Sequence, residues 1–308
     1  MIVTSDAALR WGTTYLQQRR IETARLDAEV LLAHCLGRER TALYGDRDSR
    51  LTADEYADYQ YVIARRGAHE PLAYLTGERE FWSLPLAVQA GVLIPRPDTE
   101  WVVETALRYA RSALHHRRRC RILDIGTGSG NIAIAVATDV AAAEVVAIDI
   151  SSQALAVAHT NARSCGVADR VTYIRGDLLD PLNPRQARFD LLLSNPPYIP
   201  TDALAALPQT VQCYEPREAL DGGPDGLLFY RRLIAEGPQY LSPDGVAIVE
   251  VGYNQAGDVS RLFVQSQQWQ LLEVVKDYSS TERVVVAQHR QWGAARLWIT
   301  SRLKAGCR

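Results

Sequence analysis

The chain has 308 residues, 47 % of them hydrophobic, and a formal net charge of −2. That length allows about two domains, and the apolar content is ample for a core in each. The charge balance excludes a global attraction to nucleic acid and leaves only a local Arg/Lys patch as a route to it.

The five cysteines, Cys35, Cys120, Cys165, Cys213 and Cys307, show no paired zinc spacing. Several lie in apolar segments where a reduced thiol acts as a small hydrophobe, so a reducing cytoplasm is the expected location. The start lacks the apolar core of a signal peptide, and no apolar run approaches the roughly 18 residues that span a membrane. Neither export nor an anchor is expected.

Residues 1–78 read as a helical domain, with Ala28, Leu31, Leu32 and Cys35 on one stripe and Tyr56, Tyr59 and Ile63 on another. Residues 79–94 turn β-like: Phe81-Trp82 and Val92-Leu93-Ile94 flank Gln89-Ala90-Gly91, which predicts a hairpin joining two domains. The second domain then runs over residues 95–290. Its lead-in, Ile94-Pro95-Arg96-Pro97-Asp98-Thr99-Glu100, is rigid, with Asp98 expected as a helix N-cap and Glu100 favourable near the helix's positive end. Arg96 or Glu100 could also border a site. The basic cluster His115 to Arg119 reads as a solvated helix end.

Strand-like segments then alternate with helical ones: Arg121 to Asp124, Glu144 to Asp149, Val171 to Arg175, Phe189 to Ser194 and Gly245 to Val251. Such alternation predicts a largely parallel sheet with right-handed crossovers. Leu271 to Lys276 and Glu282 to Gln288 are separated only by Asp-Tyr-Ser-Ser-Thr, as in an antiparallel hairpin. The fold class is therefore α/β, a Rossmann-like sheet of seven strands preceded by a small helical bundle. Residues 291–308 form a basic tail with Trp292, Arg296, Trp298, Arg302, Lys304 and Arg308, read as a loosely held terminus rather than an RNA contact.

Three features carry chemistry. Asp124-Ile125-Gly126-Thr127-Gly128-Ser129-Gly130 follows an apolar strand and opens the helical pattern Ile132 to Ala137, and its glycines allow backbone to approach a ligand and permit positive φ. The dinucleotide fingerprint G-x-G-x-x-G is disfavoured because Asn131 stands at its last position. Asp149 ends the next strand 19 residues after Gly130, a place suited to a carboxylate accepting from ribose hydroxyls; its alternative role is a helix N-cap before Ser151. Asp177 follows the third strand and could accept from an adenine amine with Leu178 against the ring, or be a plain loop aspartate.

The third feature is Asn195-Pro196-Pro197-Tyr198 at the end of the apolar run Phe189 to Leu193. Open α/β sheets hold ligands at that end. Two prolines remove two backbone donors, so the turn is stiff and rich in acceptors. A planar NH2 group could give one hydrogen to the Asn195 side-chain oxygen and the other to the Pro196 carbonyl, with Tyr198 packed flat against it. A role confined to ending the strand is the other reading. If the strand order reverses between the first and fourth strands, Gly126 and Asn195 sit on adjacent strand ends, and Asn195 also borders the glycine-loop ligand. Glycine loop, ribose carboxylate and adenine-binding acid together fit S-adenosylmethionine, with no metal required. Tyr214-Glu215-Pro216-Arg217 and Asp221 to Gly226 follow as a lid or substrate-shaping loop.

These residues resemble the HemK/PrmC family of protein-(glutamine-N5) methyltransferases acting on peptide-chain release factors. The resemblance covers nearly the whole chain. It rests on Leu26-Asp27-Ala28-Glu29, the segment 94–100, the glycine loop 126–130 and Ser194-Asn195-Pro196-Pro197-Tyr198-Ile199, extended by Glu215-Pro216, Ala219-Leu220, Asp225-Gly226-Leu227 and Phe229-Tyr230-Arg231. It implies that Gly126, Thr127, Gly128, Ser129, Gly130 and Asp149 hold S-adenosylmethionine. It further implies that Asn195 to Tyr198 receive the glutamine of the release factor's Gly-Gly-Gln loop, and that the helical domain docks the factor. Two departures stand out: Leu178 where an aromatic residue is frequent, and Ser279-Ser280-Thr281 where the family usually has a glycine.

The Asn-Pro-Pro-Tyr tetrapeptide is shared with enzymes that methylate DNA base amines, so a DNA amino-methyltransferase is the second reading. Acidic balance and the missing large recognition domain oppose it, and no direct DNA binding is expected. A non-catalytic S-adenosylmethionine-binding adapter is the third, opposed by the intact tetrapeptide. Nothing in the sequence requires more than a monomer.

Overall fold

The computed structural model describes residues 3–114, 118–185 and 188–290; the tail 291–308 and residues 115–117 of the basic cluster lie outside them. Two compact units emerge. The first comprises the described residues up to Glu80 with Pro85–Ile94 and Ala205–Arg217, and the second comprises Phe81–Leu84, Pro95–Leu204 and the described residues from Glu218 onward.

The first unit is built on three helices, α1 (Ser5–Gln18), α2 (Ala24–Cys35) and α3 (Ala53–Gly67). Helix α1 starts where the Thr4 hydroxyl accepts from the Ala7 amide, and α3 starts with a capping box between Thr52 and Glu55. Ala8, Leu9, Gly12 and Leu16 bury one face of α1, and a side-chain carbon at Gly12 would fall 2.2 Å from the Tyr59 hydroxyl, so α1 and α3 pack in close approach. The stripe Ala28, Leu31 and Leu32 is fully buried, as are Tyr59 and Ile63. Within Leu26-Asp27-Ala28-Glu29 the buried Asp27 pairs with Arg66 at 2.7 Å, and Glu29 accepts from the Tyr44 hydroxyl at 2.7 Å. Those carboxylates are therefore scaffold. A two-residue antiparallel ladder, Val3–Thr4 with Arg50–Leu51, is the β structure the sequence pattern does not reveal.

The predicted hairpin is displaced. Its strands are Glu78–Phe81 and Leu84–Ala87, and Val92 to Ile94 is not a strand. Trp82 and Ser83 occupy the two turn positions with φ of +54° and +57°, the left-handed pair that a two-residue hairpin requires. Gly91 instead serves a separate turn in which the Val92 amide donates to the Gln89 carbonyl. The Trp82 conformation is held from outside the hairpin: its amide donates to Glu100 and its indole N–H to Asp139, each at 2.9 Å.

The second unit is a seven-stranded sheet of β1 (Cys120–Ile125), β2 (Ala143–Asp149), β3 (Val171–Arg175), β4 (Phe189–Ser194), β5 (Leu241–Glu250), β6 (Trp269–Lys276) and β7 (Glu282–His289). Its order is β3-β2-β1-β4-β5-β7-β6, with parallel pairs through β5 and an antiparallel β7. Every residue of β4 is buried, as expected for a parallel strand covered on both faces. Helices α4 (Glu100–Leu114), α5 (Asn131–Asp139) and α6 (Ser152–Ser164) pack in succession, and α7 (Leu228–Glu236) packs on α8 (Ala256–Gln265).

Strand β5 begins four residues before the predicted start. Pro243-Asp244-Gly245 looks like a break, but the chain runs through it as an irregularity in pairing with β4, with Asp244 at φ +63° and the Ser242 hydroxyl donating to the Phe189 carbonyl at 2.9 Å. The β6–β7 turn has Ser280 at φ +64°. Asp277 takes the glycine's organising role there, its Oδ1 accepting from the Ser279 and Thr281 amides at 2.8 and 2.9 Å.

Candidate functional site

Strand β1 pairs with β2 on one side and β4 on the other, so the order reverses there and a crevice opens beyond the strand ends. Ile125 is in register with Ser194. The next residues, Gly126 and Asn195, therefore leave the sheet side by side, and a side-chain carbon at Gly126 would have the Asn195 carbonyl oxygen 3.9 Å away as its nearest neighbour.

The glycine loop is anchored from below. The Gly126 and Thr127 amides both donate to the Ile148 carbonyl at 2.9 and 3.0 Å, and Gly130 donates to Thr127 at 2.8 Å. Gly126, Gly128 and Gly130 all have positive φ. Gly130 sits at the N-cap of α5, where a side-chain carbon would meet Ile134 at 2.8 Å and Ala158 at 3.0 Å, so it lets α5, α6 and the loop converge. At Gly128 nothing lies within 4 Å of that position, which leaves open space for a ligand against bare backbone.

Asp149 is tied to the same loop. Its Oδ2 accepts from the Gly128 amide at 2.8 Å and its Oδ1 from the Ser151 amide at 2.9 Å. Burial pushes its carboxyl above the ordinary range, with the Ser151 and Gly128 amides pulling it down. It does not cap α6: the Ser151 hydroxyl does, accepting from Ala154. Beneath the loop, Asp124 is fully buried and pushed up to about 7 by desolvation, against the pull of the Thr127 hydroxyl at 2.6 Å. Asp124 Oδ1 and Ser129 Oγ are both buried without a hydrogen-bond partner. Polar atoms orphaned beside an open glycine cradle fit a polar ligand such as S-adenosylmethionine. Ile150, directly after Asp149, is 57 % exposed and offers an apolar face that an alternation-based reading passes over.

Asp177 has a cationic partner across the sheet end. The Arg232 guanidinium donates to both of its oxygens at 2.9 Å, and Asp180 and Glu236 share that guanidinium. Leu178, at φ +48°, is half-buried against the core that includes Leu179 and Phe189. Asp177 thus stands next to the crevice side of β3 as part of an ion-pair network.

In the acceptor turn, Asn195 Nδ2 donates to Thr99 Oγ1 at 3.0 Å. Pro196 is buried, and among the described residues no backbone amide takes up its carbonyl. Tyr198 packs against Gly252, where a side-chain carbon would fall 2.8 Å from its ring, and burial pushes its hydroxyl up to about 12. Its carbonyl accepts from Gln255 Nε2 at 2.9 Å. The Asp221 to Gly226 segment is bonded to this turn's exit: Ile199 bridges Asp221, the Gly222 amide donates to Ile199 at 2.8 Å, and a side-chain carbon at Gly226 would fall 2.3 Å from the Tyr198 carbonyl oxygen. It buttresses the acceptor turn, while Tyr214 to Arg217 cluster with the helical unit.

The segment before α4 forms a 3-10 turn, Pro97–Thr99, with no side-chain cap. Asp98 is not an N-cap, because it pairs with Arg283 at 3.0 Å. Thr99, Glu250 and Gln255 are the residues about the turn that sequence reasoning misses. Glu250 falls inside the predicted strand Gly245 to Val251, and no local pattern marks it, Thr99 or Gln255 as a partner of the turn.

Residues 7–77 match the family model described as the PrmC N-terminal domain, and residues 116–296 match one described as a methyltransferase domain. The release factor glutamine methyltransferase of Geobacter sulfurreducens is 46 % identical over 262 residues, which is 85 % of this chain and 89 % of that protein. That of Moorella thermoacetica is 43 % identical over 289 residues, 94 % of this chain and 100 % of that one. Among solved structures, the release factor-specific protein-(glutamine-N5) methyltransferase of Alicyclobacillus acidocaldarius is 29 % identical, covers 64 % of this chain and 95 % of that one, and has a TM-score of 0.40. With a PrmC N-terminal domain, a methyltransferase domain and relatives of this identity over most of its length, the chain belongs to the release factor glutamine methyltransferase family.

Proposed function

We propose that this protein methylates the side-chain amide nitrogen, N5, of the glutamine in the Gly-Gly-Gln loop of peptide-chain release factors, with S-adenosylmethionine as donor. The observation that carries the reading is the juxtaposition of the glycine loop and the Asn-Pro-Pro-Tyr turn on the adjacent ends of β1 and β4. S-adenosylmethionine, when bound, supplies a sulfonium methyl whose bond to sulfur breaks, leaving the electron pair there, as the bond to nitrogen forms. Gly126 to Gly130 and Asp149 hold it, and Ile150 adds apolar contact.

The residues of the turn have a demanding task. An amide lone pair is delocalised into its carbonyl, so the nitrogen must be aimed and its charge favoured. Asn195 Oδ1 and the Pro196 carbonyl accept the two amide hydrogens, Pro197 stiffens the turn, and Tyr198 packs against the amide plane. Positioning and preorganised acceptors do the work, and the nitrogen gives its surplus proton to solvent after transfer. Asp177 and Leu178 border the adenine end from within their ion-pair and core contacts. The helical unit docks the release factor, and the protein acts as a monomer in the cytoplasm. No helix among the described residues is long and apolar enough to cross a membrane.

The test is tritium transfer from labelled S-adenosylmethionine to purified release factor, to its loop glutamine-to-alanine variant and to duplex DNA, with mass mapping of the labelled site. Label on the wild-type factor alone is expected. Label on DNA, or on the alanine variant at the same level, overturns the proposal.

A further inference from the structure

The Asn195 side chain works as an acceptor only if its amide faces the right way, and an amide can turn over at no covalent cost. What fixes its sense lies one and two bonds behind it. Asn195 Nδ2 donates to Thr99 Oγ1 at 3.0 Å, and the Thr99 hydroxyl hydrogen-bonds the Glu250 side chain. Sheet register brings these groups together: Ser194 pairs with Val249 across β4 and β5, so Asn195 and Glu250 are the next residues along neighbouring strands. Thr99 and Glu250 are 1 % and 2 % exposed, so water does not compete for either.

We infer that Glu250, through Thr99, sets the hydrogen-bond polarity of Asn195 and so is a positioning residue for amide methylation, as is Thr99. The inference rests on the proposed role of Asn195 as acceptor for the substrate NH2. An ionised carboxylate can only accept, and a threonine hydroxyl has a single proton. Once that proton goes to Glu250, Thr99 Oγ1 can engage Asn195 only as an acceptor. Nδ2 must then face Thr99, and Oδ1 is turned away from it, toward the substrate. The opposite sense would present an NH2 group to the substrate NH2, two donors facing each other.

The direction of the chain depends on a charged Glu250. Burial raises its carboxyl to about 7 in spite of the Thr99 bond; Asp98 adds to the rise, while Arg283 and Arg96 oppose it. Tyr198 and Tyr230 are the other titratable groups that sense its charge. Above that range the carboxylate is ionised and the chain has the productive sense. Glu250 Oε2 has no hydrogen-bond partner, so a buried carboxylate is retained with half of its accepting capacity unused. A merely structural role would be served better by an apolar residue or a fully bonded one.

The test is performed on the full chain at pH 8 with saturating S-adenosylmethionine and a wild-type release factor that the unaltered protein methylates. Failure of that control counts against the proposed function, not against Glu250. Thr99→Val removes the link without changing the side chain's shape, Thr99→Ser keeps the hydroxyl, and Glu250→Gln keeps the shape but lets the group donate. We expect kcat to fall about tenfold or more in T99V, in line with the cost of a misoriented catalytic group. T99S should recover to within about threefold of wild type, and E250Q should lie between T99V and wild type. KM for the release factor and calorimetric affinity for S-adenosylmethionine should stay near wild-type values in T99S and T99V, while T99V should melt lower by about 2–4 °C for each hydrogen bond lost. The inference is overturned if T99V keeps wild-type kcat, if T99S is as impaired as T99V, or if the loss in T99V is matched by an equal loss of cofactor affinity.

Discussion

Replacing Asn195 with alanine separates binding from transfer, and its consequences can be worked out from the contacts. The side chain makes one intramolecular bond, to Thr99 Oγ1 at 3.0 Å, in a half-buried setting. Losing it should cost about 1 kcal/mol of stability, or a melting shift of about 2–4 °C in a domain of this size. The backbone carbonyl of residue 195, the group nearest the Gly126 position, remains in the variant. S-adenosylmethionine affinity should therefore stay within about twofold of wild type, since no preorganised partner of the cofactor is lost. Transfer is different, because one of the two acceptors on the substrate NH2 disappears and water cannot occupy its place in the correct orientation. Deleting a single preorganised hydrogen-bond partner costs about 100- to 1000-fold in kcat. The assay is single-turnover tritium transfer to release factor, with calorimetry on the same preparation. Transfer within about threefold of wild type by a folded N195A protein would refute the assignment of Asn195 as an acceptor.

For Asp149→Ala we expect S-adenosylmethionine affinity to fall about 10- to 100-fold with the sheet intact, since charged hydrogen bonds contribute about 1.5–3 kcal/mol each; unchanged calorimetric affinity would remove the ribose assignment. Glu250 gives a pH-dependent stability difference. Its carboxyl is raised from 4.5 to about 7 in the fold, so its favourable contribution is complete below pH 4.5 and is lost as pH rises through 7. Denaturant unfolding at pH 8 should then find E250Q more stable than wild type by at most about 3 kcal/mol, with the gap closing toward pH 4.5. Asp124, shifted in the same direction, acts equally in both proteins and cancels. A gap independent of pH would mean that the fold does not raise the Glu250 carboxyl above its ordinary range. Ser280→Gly should raise stability by up to about 1 kcal/mol in urea titration, because a left-handed backbone strains any residue with a side chain; a loss would show that the Ser280 side chain holds the turn.

The sheet was legible because its signals are local. All seven strands appear where apolar runs lie between helical periods, and the two that form a hairpin announce themselves by a short connection. Asn195 and the glycine loop were legible for the same reason, as each ends an apolar run, whereas the β1/β4 reversal stood only as a condition, because alternation predicts parallel strands but not their order. The misses are tertiary. A hairpin turn at Trp82-Ser83 carries no glycine because contacts with Glu100 and Asp139 hold its left-handed backbone. Asp98 reads as a helix cap until Arg283, more than fifty residues distant, is brought beside it. Gly245 reads as a strand start because the irregular pairing of β5 with β4 has no counterpart in periodicity.

A single electrostatic theme accounts for the costs this fold carries. Two prolines remove donors from the acceptor turn, Thr99 occupies the Asn195 donor group, and three carboxylates, Asp124, Asp149 and Glu250, are held in or beside the strand ends with their charge disfavoured by burial. The buried carboxylates and the unpaired acceptors are unfavourable for stability taken alone. They share a purpose in that the buried carboxylates and the acceptors of the turn bias the strand ends toward negative charge and toward groups that donate hydrogens. A sulfonium ligand and a substrate NH2 group that becomes positive as it gains a methyl are the species such an environment favours, and it favours the second most at the transition state. The stability forgone at the ends of β1, β2 and β5 is thus the counterpart of preorganisation around a nitrogen that is otherwise a poor nucleophile.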